Sequence, residues 1–120
     1  MTARPNVAMN EWVAVCKLSD IMPDTGVCAL VHGQQVAVFR LSGDAGDSVY
    51  AIDNLDPFSK ANVLSRGIVG DLKGELVVAS PIYKQHFNLT TGQCLEEADV
   101  RIAVYPVRVE GDKVLVNTNS

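Results

Sequence analysis

The chain has 120 residues, 48% of them apolar and 20% charged, with 14 acidic against 10 basic side chains and a formal net charge of −4. A length near the modal domain size argues for one domain, which buries roughly two-thirds of its unfolded surface and needs no disulfide or metal for stability. With no run of Lys or Arg to neutralise a phosphate backbone, and no apolar run near the roughly 20 residues of a membrane helix, neither nucleic acid nor a membrane is an expected partner.

The amino terminus, MTARPNVAMNEW, carries one Arg and no apolar stretch of the secretory kind. Residues 1–10 are expected to be a flexible leader, residues 11–118 a single domain, and the cytoplasm the compartment. Trp12–Leu18 (WVAVCKL) reads as a first strand, ended by the breakers of SDIMPDTG. VCALV and QVAVFR then flank His32–Gly33–Gln34, a hairpin signal with Gly at the turn. Both runs are apolar at nearly every residue, which predicts cover on both faces of each strand.

Ser48–Asp53 (SVYAID) is the next strand, and Asn54–Arg66 follows as a long irregular segment. Short strands are expected around GIVGDL, ELVVAS and HFNL, with a turn at Thr91–Gly92. Val107 and Val109, then Val114 and Val116, alternate with other residues around the turn EGDK, the pattern of a closing hairpin. Lys60–Gly67 (KANVLSRG) is the one weak helical candidate. The architecture predicted is all-β, a sandwich or barrel of short strands with little helix.

Cys16, Cys28 and Cys94 are an odd, widely spaced set, read as free thiols in a reducing compartment. The chain has no G-x-S-x-G, H-E-x-x-H or phosphate-cradling glycine loop. Asp53 with Asp56, and Glu96 with Glu97, read as solvated acids rather than an acid–base pair. Cys94 lies eight residues beyond His86 across a turn, a spacing that permits a thiol–imidazole pair but offers no evident third group to orient it.

Two blocks carry a resemblance. AIDNLDPFSKANVL is similar to the first loop of the Rieske family, a-x-D/E-N-x-C-P-H-x-G-A-x-L. ASPIYKQHFNLTTG is similar to the second, C-P-x-H-G-x-x-F-D-L-x-T-G. WVAVCKLSDI, VHGQQVAVFR and YPVRVEGDKVLV resemble the opening strands and closing hairpin of that family. The resemblance covers nearly everything after Asn10 and implies three small antiparallel sheets, with two loops projecting from one end.

A Rieske centre takes two Cys thiolates on one iron and two His imidazoles on the other. The alignment of motifs puts Asp56 and Phe58 in the first Cys and His places, and Ser80 and Tyr83 in the second. Phe has no donor, and Asp, Ser and Tyr offer only hard oxygens, so no cluster or other metal is expected on this chain. Pro57 and Pro81 remain beside these places. The rings of Phe58 and Tyr83 are expected to pack into the vacancy, with the Tyr83 hydroxyl bonded to Asp56 or to loop backbone.

A Rieske-like fold without ligands resembles the small subunits of cytoplasmic NAD(P)H-dependent assimilatory nitrite reductases. SRGIVGDLKGE fills a gap between Phe58 and Ser80 that is longer than in typical electron-carrying relatives. The resemblance implies a large partner subunit holding FAD, an iron–sulfur cluster and sirohaem, which reduces nitrite to ammonium with electrons from NADH. It implies no catalytic residue on this chain, whose contact with the large subunit is expected through Lys60, Arg66, Tyr83, Lys84, Gln85 and His86. A ferredoxin with an unusual ligand set and a free-standing binding module are the other readings left open.

Overall fold

The computed structural model describes residues 12–118, so the expected leader lies outside the described residues. In chain order the strands are β1 (Val13–Lys17), β2 (Thr25–Val31), β3 (Gln34–Leu41), β4 (Ser48–Asp53), β5 (Leu55–Asp56), β6 (Ala61–Asn62), β7 (Ile68–Leu72), β8 (Glu75–Ala79), β9 (His86–Asn88), β10 (Val104–Tyr105), β11 (Val107–Glu110) and β12 (Lys113–Val116). They build three antiparallel sheets, ordered β1-β12-β11, β10-β4-β3-β2 and β7-β8-β9, plus the two-residue ribbon β5-β6. Among the described residues, helix is confined to the 3-10 turns Leu18–Asp20 and Leu64–Arg66. The all-β architecture of three small sheets is the one the resemblance implied.

β3 sits between two cores, which is why its apolar run is unbroken. Ala37, Phe39 and Leu41 point into one core with Ile52, Leu64, Val78, Phe87 and Leu89. Val36 and Val38, on the opposite face, join Ile21, Val31, Ala51, Val114 and Val116 in the other. Successive strand residues face opposite ways, so a strand covered on both sides reads as continuous hydrophobicity. Each of the Val, Leu, Ile and Phe side chains among them contributes about 1.5–3 kcal/mol by leaving water, the alanines less.

The same expectation fails for β2. It is the edge strand of its sheet, and Cys28 and Leu30 face outward, Leu30 with 71% of its surface exposed. Composition alone does not separate an edge strand from a central one. The expected β2–β3 hairpin is present, but Gln34 already pairs with Val31, so the loop is the two residues His32 (φ 50°) and Gly33 (φ 80°), both left-handed, the twist such loops favour. On the closing hairpin Val114 and Val116 are buried, whereas Val109 on the sheet-edge strand β11 is 39% exposed. The pairing of β1 with β12, and the short β10 beside β4, carry no local sequence signal.

The weak helical candidate reduces to the turn Leu64–Arg66. Asn54 holds the entry to that turn, and at its end Gly67 runs extended (ψ 170°) into β7. A Cβ on Gly67 would lie 2.4 Å from the Ala79 carbonyl oxygen, so a bare Cα is needed where the first loop presses on β8. The first loop, 54–67, thus leaves β4 and returns into β7, while the second, 80–85, links β8 to β9. Their ends meet.

Candidate functional site

Asn54 fixes the base of the first loop. It is 1% exposed; its Nδ2 donates to Gln35 Oε1 (3.1 Å), and its Oδ1 accepts the Ser65 N–H (2.7 Å). Its backbone accepts the Leu64 N–H and donates to the Gln35 carbonyl. One buried amide therefore ties both ends of the loop to β3. The family pattern has Asn at this place, but nothing in the sequence reading singled it out.

Asp56 and Ser80, in the two Cys places, are both fully buried and bonded to each other. Ser80 Oγ donates to Asp56 Oδ2 at 2.5 Å. Asp56 Oδ1 accepts the N–H groups of Phe58 (2.9 Å) and Ser59 (3.4 Å), and Ser80 Oγ accepts the Ile82 N–H (3.3 Å). Burial pushes the Asp56 carboxyl up, but the Ser80 hydroxyl, the Phe58 N–H and the side chain and N–H of Ser59 outweigh it and hold it below the ordinary carboxylate value. The carboxylate stays charged, and its oxygens are already engaged.

The two loops share one backbone design. Lys60 N–H donates to the Asp56 carbonyl (2.8 Å) and Lys84 N–H to the Ser80 carbonyl (3.1 Å), so each turn closes four residues after a Cys place. Both lysines are left-handed, with φ of 64° and 68°.

Phe58 and Tyr83, in the two His places, part company. Phe58 is half-buried, packs against the core and meets Phe87 at 6.2 Å between centroids, tilted by 41°. Its ring turns inward, against the core. Tyr83 does not: it is 59% exposed, and its hydroxyl makes no hydrogen bond among the described residues. Ser80 N–H to the Gln85 carbonyl (2.9 Å) closes the second loop beneath it, leaving Ile82 and Tyr83 at an outward apex. Ser80, not Tyr83, takes the partner role beside Asp56.

Of the residues expected at the partner contact, Lys60, Arg66, Tyr83 and Lys84 are exposed, whereas Gln85 and His86 are half-buried. Gln85 Oε1 is buried without a hydrogen-bond partner among the described residues. The His86 ring meets Glu96, Nδ1 to Oε2 at 2.6 Å, and its N–H donates to Glu96 Oε1 at 2.8 Å. Glu96 also lies 3.7 Å from the Cys94 thiol, so a carboxylate stands where a thiol–imidazole contact would be needed. Burial pushes the Glu96 carboxyl up, but the His86 contacts outweigh it and the net direction is down. Burial raises the Cys94 thiol, the opposite of an activated nucleophile. Glu96 is thus engaged rather than merely solvated, and the expectation of a solvated acid fails outright for Asp56, which is fully buried against Ser80; Asp53 is half-buried, its Oδ1 accepting the Leu55 N–H.

A Rieske cluster does not fit these residues. Asp56 spends both oxygens on loop donors, Phe58 offers no donor atom, and Tyr83 faces solvent. Soft thiolate is missing from both Cys places. Among the described residues, no group of three His, Cys, Asp or Glu side chains is placed to hold a metal ion. Nor is any helix there long and apolar enough to cross a membrane.

The family model for the Rieske-like [2Fe-2S] domain matches residues 11–117. The nitrite reductase (NADH) small subunit of Salmonella typhimurium is 49% identical over 102 residues, 85% of this chain and 93% of that one. The solved NirD structure from E. coli is 45% identical, covers 93% of this chain and 100% of that one, and superposes with a TM-score of 0.84. The nitrite reductase [NAD(P)H] large subunit of Klebsiella oxytoca is 43% identical over 112 residues, which are 93% of this chain but 11% of that much longer one. A fold with both Rieske loops in place, thiolate and imidazole positions replaced, and this identity over most of the chain place the protein in the Rieske-like family, as one of the NADH nitrite reductase small subunits.

Proposed function

We propose that the chain is a non-catalytic accessory subunit of an NADH-dependent nitrite reductase, which converts nitrite to ammonium in nitrate assimilation. FAD, an iron–sulfur cluster and sirohaem belong to the large subunit in this reading, and the chain, a single domain in the cytoplasm, assists by contact alone. The observation that carries it is the hydrogen bond from Ser80 to Asp56. Where two thiolates would clasp an iron, the two loops clasp each other. The projecting end is therefore shaped without metal and presents the same surface whatever the iron supply.

The Klebsiella relative adds support, since a domain similar to this chain stands there within a large-subunit polypeptide. Contact is assigned to the projecting end: Lys60, Arg66, Tyr83 and Lys84, with Gln85 and His86 behind them. A ferredoxin role would need donors that the four positions lack. Size-exclusion chromatography of the chain with its large subunit tests the proposal. Co-elution of the wild-type chain, lost on Lys60→Glu/Arg66→Glu/Lys84→Glu, is expected. Separate elution of the wild-type pair would overturn the accessory role, and undiminished co-elution of the charge-reversed chain would overturn the assigned surface.

A further inference from the structure

Lys60 and Lys84 occupy matched left-handed positions, φ 64° and 68°, in the two loops. A side chain with a Cβ crowds the backbone in that conformation, and glycine takes it freely. The backbone N–H of each lysine closes its loop, a bond glycine would make equally well, whereas neither side chain repays the strain: both are exposed, and neither forms an ion pair among the described residues. Arg66, in the 3-10 turn of the first loop, is a third exposed cation without an ion pair among the described residues. The chain as a whole carries a net charge of −4, so unpaired cations at its projecting end run against the overall balance.

Pro81, Ile82 and Tyr83 are exposed at the apex of the second loop, Ile82 at 44% and Tyr83 at 59%. Two adjacent large apolar side chains left in water at a loop tip, one of them aromatic, have the composition of an interface anchor. We infer that Ile82 and Tyr83 enter an apolar pocket on the large subunit, and that this pocket is rimmed by carboxylates which receive Lys60 and Lys84. The inference rests on the accessory-subunit reading and adds to it the chemistry of the partner's surface. Charge complementarity selects an acidic rim, and the left-handed lysines supply the cations at a cost to the chain's own stability.

The test is binding of the full chain to the purified holo large subunit, across a series of salt concentrations, for three proteins. Lys60→Gly/Lys84→Gly should bind about tenfold more weakly at low salt and show a flatter salt dependence. Its Tm should stay within about 4 °C of the wild type or rise, because glycine suits both positions. Tyr83→Ala should weaken binding about thirtyfold with an unchanged salt slope. Should the glycine pair lower Tm further, Lys60→Asn/Lys84→Asn, which also tolerates the left-handed region, gives the same readout.

Wild-type affinity in either the lysine or the tyrosine variant would overturn the inference while leaving the accessory role intact. Failure of the wild-type chain to bind would overturn the accessory role and this inference with it. Self-association of the chain alone that Tyr83→Ala abolishes would reassign the apex to a second copy and overturn the inference.

Discussion

Ser80 Oγ and Asp56 Oδ2, 24 residues apart in sequence and 2.5 Å apart in space, join the two loops at the pair of places where thiolates would share an iron. Removing either partner strands a buried polar group. Ser80→Ala should destabilise the chain by about 1–3 kcal/mol, and Asp56→Ala by about 3 kcal/mol, since it also frees the N–H groups of Phe58 and Ser59. Urea unfolding of both singles and the double variant should give a coupling above about 1 kcal/mol. Additive losses would mean the bond contributes nothing to the clasp.

Acid should undo the same bond. The Asp56 carboxyl titrates below its ordinary value when folded, because the Ser80 and backbone donors prevail over burial. Its contribution is therefore complete above the unfolded value of about 3.9 and lost as pH falls through the lower folded value. Asp56→Asn should be less stable than wild type at pH 7 and lose less stability on acidification over that window. Parallel stability–pH curves, measured by chemical unfolding, would remove Asp56 as a source of acid sensitivity.

Phe58 and Tyr83 hold equivalent places but opposite surroundings. Phe58→Ala removes a ring packed on Phe87 and should cost about 2–4 kcal/mol, whereas Tyr83→Ala, at an exposed apex, should change stability by less than about 0.5 kcal/mol. Equal losses in thermal unfolding would show that Tyr83 packs in solution.

The three thiols should react in an order set by exposure. Cys28 is exposed on edge strand β2, Cys16 is half-buried with its thiol raised by burial and then by Asp20 and Asp112, and Cys94 is buried with its thiol raised mainly by burial. Alkylation followed by mass spectrometry should label Cys28 first and Cys94 only after unfolding. Early labelling of Cys94 would contradict its place beneath Glu96.

The sequence made the strands legible where periodicity reflects a local environment, as in Val114 and Val116 or the doubly covered run Val36–Phe39. It did not separate β2, equally apolar, from a buried strand, because an edge is a property of sheet order. At the site, the residue types disclosed the loss of the thiolate and imidazole donors. The Asp56–Ser80 bond was not legible, since it depends on where two distant loops converge. The same limit hid the contact of His86 with Glu96 and the anchoring of the first loop by Asn54. Side-chain size suggests an inward place for Tyr83, but the backbone closure of its loop, Ser80 to Gln85, decides its direction.

The most direct measurement is iron and acid-labile sulfide content, with the visible spectrum, after anaerobic reconstitution of the purified chain. Oxygen donors already engaged with each other, and an aromatic ring in place of an imidazole, predict a colourless protein without bound iron or sulfide. Stoichiometric iron and sulfide with visible absorption, retained through gel filtration and lost in Asp56→Ala, would contradict the account.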